Sequence, residues 1–237
     1  MSRSRSSARK TSASARSRHP RRYGGRSVKE RLAERHERLV EAGLALFAVK
    51  GYGATSIESI CSKAAVTARH FYEQFDSREA LLLEVYESVI VRARKAVITA
   101  LHIAHATPRD RVNAGIEAYV HAVLDDPRHA RIAFVEVVGA SPKVERRRRR
   151  AIHEIAALIE SEAQALADQG RVVRRDFSLI AIAMAGACNE LVTDAIMRAT
   201  APATRDIVNA LVQLFLAVME DAQSELAPPA RRSAARR

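Results

Sequence analysis

The stretch GLALFAVKGYGATSIESICSKAAVTARHFYEQFDSREALLLEVYE, residues 43–87, decides the fold of this chain. Gly43, Leu44 and Phe47, with Leu39 and Val40 just upstream, recur at helical spacing. They give a helix over about 29–50 that stops at Gly51. Thr55-Ser56-Ile57-Glu58 reads as a capping box, its hydroxyl and carboxylate placed to satisfy backbone donors. The short helix it opens turns Ile57, Ile60, Cys61 and Ala64 inward. Thr67 then caps a second short helix whose apolar residues are Phe71 and Phe75. Asp76-Ser77-Arg78-Glu79 repeats the same logic and opens a long helix running to about Ala104, with Leu81, Leu82, Val85 and Tyr86 on its inner face.

Residues 56–75 are therefore two short helices joined by a tight turn, and the outer face of the second is free. A helix of this kind fits the major groove, where base edges differ chemically. Its free side chains are Thr67, Ala68, Arg69 and His70, followed by Tyr72. Arg69 is suited to a bidentate contact with guanine. The hydroxyls of Thr67 and Tyr72 suit phosphate oxygens, which fix register. Helix-start amides near Ser56 and Ser77 offer partly positive sites for phosphate.

Outward from this stretch, the pattern stays helical. Thr107-Pro108 opens a helix to about Leu124, Asp126-Pro127 one to about Val138, and Ser141-Pro142 a long one ending at Gln169-Gly170. Each uses a capping side chain with proline at the first helical position. Segments 176–200 and 204–226 complete a set of nine helices. No segment alternates with period two, so the expected class is all-α. In the middle helices, Ile116, Tyr119, Val120, Val123, Phe134 and Val138 read as inward, as do Ile155 and Ile159. Glu117, Tyr119, His121, Phe134 and Asn189 are the candidates to line or orient a small ligand. Glu117 and His121 stand at i, i+4, but without a third ligand they make no metal site. Neither metal nor cofactor is expected. Arg146–Arg150, five arginines near a helix start, read first as a solvated basic face and second as a neutraliser of some anion.

The chain has 237 residues and a formal net charge of +12, unevenly placed. Residues 1–29 carry ten Lys+Arg and no acid, and residues 226–237 carry four Arg and no acid. All 27 acids lie between, with 25 bases, so a nearly neutral body bears two cationic tails. Residues 1–28 read as a disordered basic arm and 227–237 as a disordered basic tail. The first 30 residues hold no apolar stretch of the signal-peptide kind. The longest apolar run, Leu179–Cys188, is ten residues, too short to span a bilayer. Cys61 and Cys188 are isolated in apolar surroundings, which suits a reducing cytoplasm and no disulfide.

The central stretch resembles the DNA-binding domain of the tetracycline-repressor (TetR) family of transcriptional regulators. Phe47, Gly51-Tyr52, Ala54-Thr55-Ser56, Ile60, Ala64-Ala65-Val66, Phe71-Tyr72, Phe75, Ser77, Glu79 and Leu81-Leu82 carry the likeness in order and spacing. The resemblance implies a helix-turn-helix domain over about 29–90 and a helical effector-binding and dimerisation domain over 91–226. It also implies a homodimer, paired through the helices at 176–200 and 204–226, on a near-palindromic double-stranded operator. Such a protein is usually a repressor released by a small ligand, here one of apolar character. By the same resemblance Ser56 and Tyr72 meet phosphate, Thr67, Ala68, Arg69 and His70 meet the groove, and Arg78 touches phosphate from the fourth helix. Ala65 departs from the glycine often found in the turn; a positive φ there costs about 1 kcal/mol. Residues 30–80 hold seven Lys+Arg and eight acids, so cations must come from elsewhere. Arg21, Arg22 and Arg26 of the arm are the expected source, tracking backbone or minor groove. A non-specific DNA-organising protein is the rival reading, and a helical enzyme a weaker one.

Overall fold

Ser27 starts the first helix by a reciprocal box: its hydroxyl accepts the Glu30 amide at 3.1 Å, and the Glu30 carboxylate accepts the Ser27 amide at 2.6 Å. The computed structural model describes residues 27–103 and 107–224, with side chains as far as Met219. The arm residues Arg21, Arg22 and Arg26 and the tail 227–237 lie outside the described residues. Among those described there are nine α-helices and no strand. The N-terminal four are α1 (Val28–Lys50), α2 (Ile57–Ala64), α3 (Ala68–Tyr72) and α4 (Arg78–His102). Gly51 ends α1 at φ +86°, its N–H bonded to the Phe47 carbonyl.

The cap of α2 lies one residue later than its sequence suggests. Ser56 is the N-cap and accepts from Ser59 N–H at 3.2 Å. Thr55 is wholly buried and donates its hydroxyl hydrogen to the Gly51 carbonyl at 2.7 Å instead. A buried hydroxyl takes the nearest acceptor, and the end of α1 supplies one. Thr67 caps α3 and Ser77 caps α4, as read.

The remaining helices are α5 (Pro108–Leu124), α6 (Pro127–Arg131), α7 (Pro142–Asp168), α8 (Ser178–Met197) and α9 (Thr204–Ser224). The expected single helix from Asp126 to Val138 is divided. After five residues it widens into a π-helical turn, Ile132–Glu136, and Val138 is exposed rather than inward. Widening shifts the face that follows, and it lets Ile132, Ala133 and Val137 turn toward the N-terminal helices.

Two cores result. One joins α1 to α4 around Leu39, Phe47, Ile60, Phe71, Leu81 and Val85, and it also takes in Ile132, Val137 and Val144. A domain boundary near residue 90 therefore does not separate independent cores. The other joins α5, α8 and α9 around Val120, Val123, Val192 and Leu211. Gly43 lets α1 lie close on α4; a Cβ there would sit 3.1 Å from Leu81 Cδ2. The outer face of α8 is left bare, with Leu179 79% exposed and Ile182 and Met197 beside it in composition. That helix is long and apolar enough to cross a membrane, and only 33% of its most apolar stretch is buried.

Candidate nucleic-acid interface and effector cavity

The turn between α2 and α3 is built on Ala65, at φ 51° and ψ 49°, the left-handed region. There the Val66 N–H reaches back to the Cys61 carbonyl at 3.0 Å, which closes α2. Five residues are too few for a helix to hold itself, so α3 depends on its anchors. Phe71 and Phe75 supply them, both buried with ring centroids 5.8 Å apart. With those two inside, Thr67, Ala68, Arg69 and Tyr72 are outside, and His70 is half-buried.

Most of these side chains already have partners. The Thr67 oxygen accepts the His70 amide at 3.3 Å and lies 3.0 Å from His70 Nδ1. With one lone pair so engaged, its O–H is well placed to donate to Nδ1, which favours the tautomer carrying hydrogen on Nε2. That leaves His70 an outward donor. Arg69 is 87% exposed and holds Glu73 at 3.1 Å, one turn along. Tyr72 is 58% exposed, with its ring edge-on to Phe71 at 5.4 Å. Ser56 is exposed; its hydroxyl caps α2 with a lone pair and also hydrogen-bonds the Glu58 carboxylate, whose pKa the Glu58 amide and this hydroxyl both lower.

Arg78 is placed differently from the sequence reading. Its guanidinium lies 4.5 Å from the centre of the Tyr52 ring and donates to the Thr55 carbonyl. It braces the loop before α2 rather than reaching outward. A planar cation between an aromatic face and a carbonyl is held by both, which explains the inward turn. Glu136 of the π turn braces the same loop from the other side. It accepts the Tyr52 N–H at 2.7 Å and Arg131 Nε at 2.9 Å.

A cavity of about 140 Å³ lies among α4, α5 and α7. Tyr119, Phe134 and Asn189 line it, together with Cys188 and Phe215. Burial pushes the Cys188 thiol up to about 12 and raises the Tyr119 phenol as well, so both stay protonated. Glu117 and His121 do not line it. Both stand on the outer side of α5, Glu117 near the Asn113 amide at 3.4 Å and His121 paired with Asp125 at 2.8 Å. Each is about a third of a turn or more from the middle of the inward set Ile116, Tyr119, Val120 and Val123, and that offset carries it to solvent.

The charged lining is what sequence reasoning missed. Arg111 pairs with Glu162 at 2.6 Å, and it also donates to the Leu101 carbonyl at 2.9 Å. The two partners are 51 residues apart, and no local signal links them. The arginine run is only partly a solvated face. Arg147 is 16% exposed and donates to Glu87 at 2.7 Å, and Arg148 forks onto Glu145 at 2.7 and 2.9 Å. Arg146, Arg149 and Arg150 are the exposed or nearly exposed remainder. Among the described residues no cluster of three His, Cys, Asp or Glu forms a metal site.

Residues 39–85 match the family model for bacterial regulatory proteins of the tetR family, and residues 105–193 match one for the tetracyclin repressor-like C-terminal domain. The chain is 42% identical over 57 residues to the HTH-type transcriptional regulator YerO of Bacillus subtilis, 24% of this chain and 20% of that protein. It is 27% identical over 120 residues to the HTH-type transcriptional regulator EthR of Mycolicibacterium smegmatis, 51% of this chain and 55% of that one. The matched segments thus span from a fifth to about half of these relatives' lengths. In fold it is similar to the fatty acid degradation regulator FadR of Bacillus halodurans, with TM-score 0.70, 16% identity, and 77% of this chain and 94% of that chain covered. A tetR-family regulatory protein from Rhodococcus RHA1 aligns at TM-score 0.63 and 23% identity over 78% of this chain and 96% of its own.

Proposed function

The chain belongs to the TetR family of DNA-binding transcriptional regulators, and from that premise we propose that it is a homodimeric repressor released from its operator by a small apolar ligand. It is a regulator and not an enzyme, as its relatives are. The observation that carries the proposal is a wall shared between cavity and reading helices. The π turn puts Ala133 and Phe134 on the cavity and, two residues on, Glu136 on the Tyr52 amide. Tyr52 lies under Arg78, and the Arg78 guanidinium holds the Thr55 carbonyl one residue before the α2 cap. A ligand that displaces Phe134 acts on this bracing, and so on the spacing of the two α3 helices in a dimer.

In this reading Ser56 and Tyr72 meet phosphate, and Thr67, Ala68, Arg69 and His70 face the groove. Residues 29–90 read DNA and 91–226 hold the effector and the partner copy. The uncovered apolar face of α8, with Leu214 exposed on α9, supports isologous pairing through these two helices, because a bare apolar face is costly in water. The cytoplasm is where such a protein meets its DNA.

The test is footprinting on DNA upstream of the protein's own and neighbouring genes, with and without small apolar compounds. The expected result is protection of an inverted repeat, lost on adding an active compound, by a species that sediments as a dimer. Equal affinity for scrambled duplexes would instead favour a non-specific DNA-organising protein.

A further inference from the structure

Five charged side chains line the cavity: Arg94, Arg111, Arg148, Glu154 and Glu162. Four of them are neutralised locally. Arg111 and Glu162 hold each other, Arg148 is held by Glu145, and Glu154 lies 3.4 Å from Arg147. Arg94 differs. Among the described residues no carboxylate is within ion-pair distance of it, and it stands exposed on α4 at the edge of an otherwise apolar chamber. An uncompensated guanidinium at the lip of an apolar cavity is a receptor for one negative group attached to one greasy body.

The charge around the cavity agrees. Between Ser88 and His102, α4 carries Arg92, Arg94 and Lys95 and no acid. The start of α7, another helix along the cavity, carries Lys143 and five arginines against Glu145 alone. An excess of one sign of charge around a low-dielectric mouth concentrates the opposite ion there.

We propose that the cavity takes a small amphipathic carboxylate, with its apolar body inside and its carboxylate on Arg94. The proposal rests on reading the cavity as the effector site and adds the class of effector to it. Size sets a bound. A chamber near 140 Å³ is of the order that holds a single benzene-sized group, so the body is an aromatic ring or a chain of about eight carbons unless the helices part.

Calorimetric titration of the full-length chain with octanoate and with 1-octanol, near-equal in size and different in charge, tests this. Octanoate should bind about tenfold tighter at low salt, as a charge-assisted hydrogen bond would give. The gap should close in Arg94→Gln, persist in part in Arg94→Lys, and shrink as salt rises. Equal binding of the two compounds, or a gap that survives Arg94→Gln, overturns the carboxylate assignment and leaves the effector cavity standing. If neither compound binds and neither shifts the melting transition, the cavity reading itself falls, and this proposal with it.

Discussion

Ala65 shows how far one backbone angle governs the reading head. An L-residue at φ 51° carries roughly 1–2 kcal/mol of local strain that glycine would not. Glycine gives part of this back through the looser unfolded chain, about 0.4–1 kcal/mol. Ala65→Gly should therefore stabilise the protein by about 0.5–1 kcal/mol in urea unfolding, with the m-value unchanged. At Arg69 the magnitudes also decide. Its exposed pair with Glu73 is worth about 0.2–1 kcal/mol, whereas a bidentate guanine contact discriminates by about 1–3 kcal/mol. A guanine contact of that size would win Arg69 from Glu73 at small cost. Arg69→Gln should relax preference at one base pair of each half-site by about 1–3 kcal/mol in competition binding, with little effect on non-operator DNA.

At the scale of elements, α6 and the π turn strap the two cores together. Asp126 caps α6, accepts from Arg128 at 2.7–3.1 Å, and Arg128 crosses to Glu41 of α1 at 2.6 Å. The Arg128 hydrogen bonds hold the Asp126 carboxyl down at about 2. A carboxyl depressed in the folded state stabilises above its unfolded value of about 3.8, and that contribution is lost as pH falls toward 2. Asp126→Asn should thus cost about 1 kcal/mol at pH 7, after allowance for solvent screening, and the gap from the parent should close between about pH 4 and 2. Thermal unfolding across that range measures it. Glu136 straps the other side. Glu136→Ala leaves the Tyr52 N–H without its acceptor, which costs about 1–3 kcal/mol and should speed hydrogen exchange at that amide.

Much of this scale was legible in the sequence. Thr107-Pro108 and Ser141-Pro142 mark the starts of α5 and α7, because proline at N1 and a side-chain cap satisfy the same backbone rule. The π turn was not legible. Its residues Ile132–Glu136 fit an ordinary helix by periodicity, and only packing on α1 and α4 selects the wider form. The ligand-facing choices divide in the same way. Tyr119, Phe134 and Asn189 were within reach of the apolar pattern. Glu117 and His121 went astray because a polar residue near an apolar stripe gives no sign of which side of it the side chain takes. Arg94 offers no local signal at all.

For the whole molecule, charge and surface set behaviour that no single helix does. The described reading domain has no net positive charge of its own, yet its ligand is a polyanion. Ten bases precede residue 30. Deleting residues 1–26, which spares the Ser27 cap of α1, should therefore flatten the slope of log K against log salt by about 0.9 for each phosphate contact removed, with the preferred operator unchanged. Filter binding from low to physiological salt gives the slope, and an unaltered slope would exclude the arm from the interface.

The inside of α3 and its outside answer to different masters. Phe71 and Phe75 hold the helix, whereas Ala68, Arg69 and Tyr72 support almost nothing beneath them. Mutation can rewrite the outward trio while the scaffold stays folded, so a duplicated gene could acquire a new target within a few substitutions and keep the rest of the molecule intact.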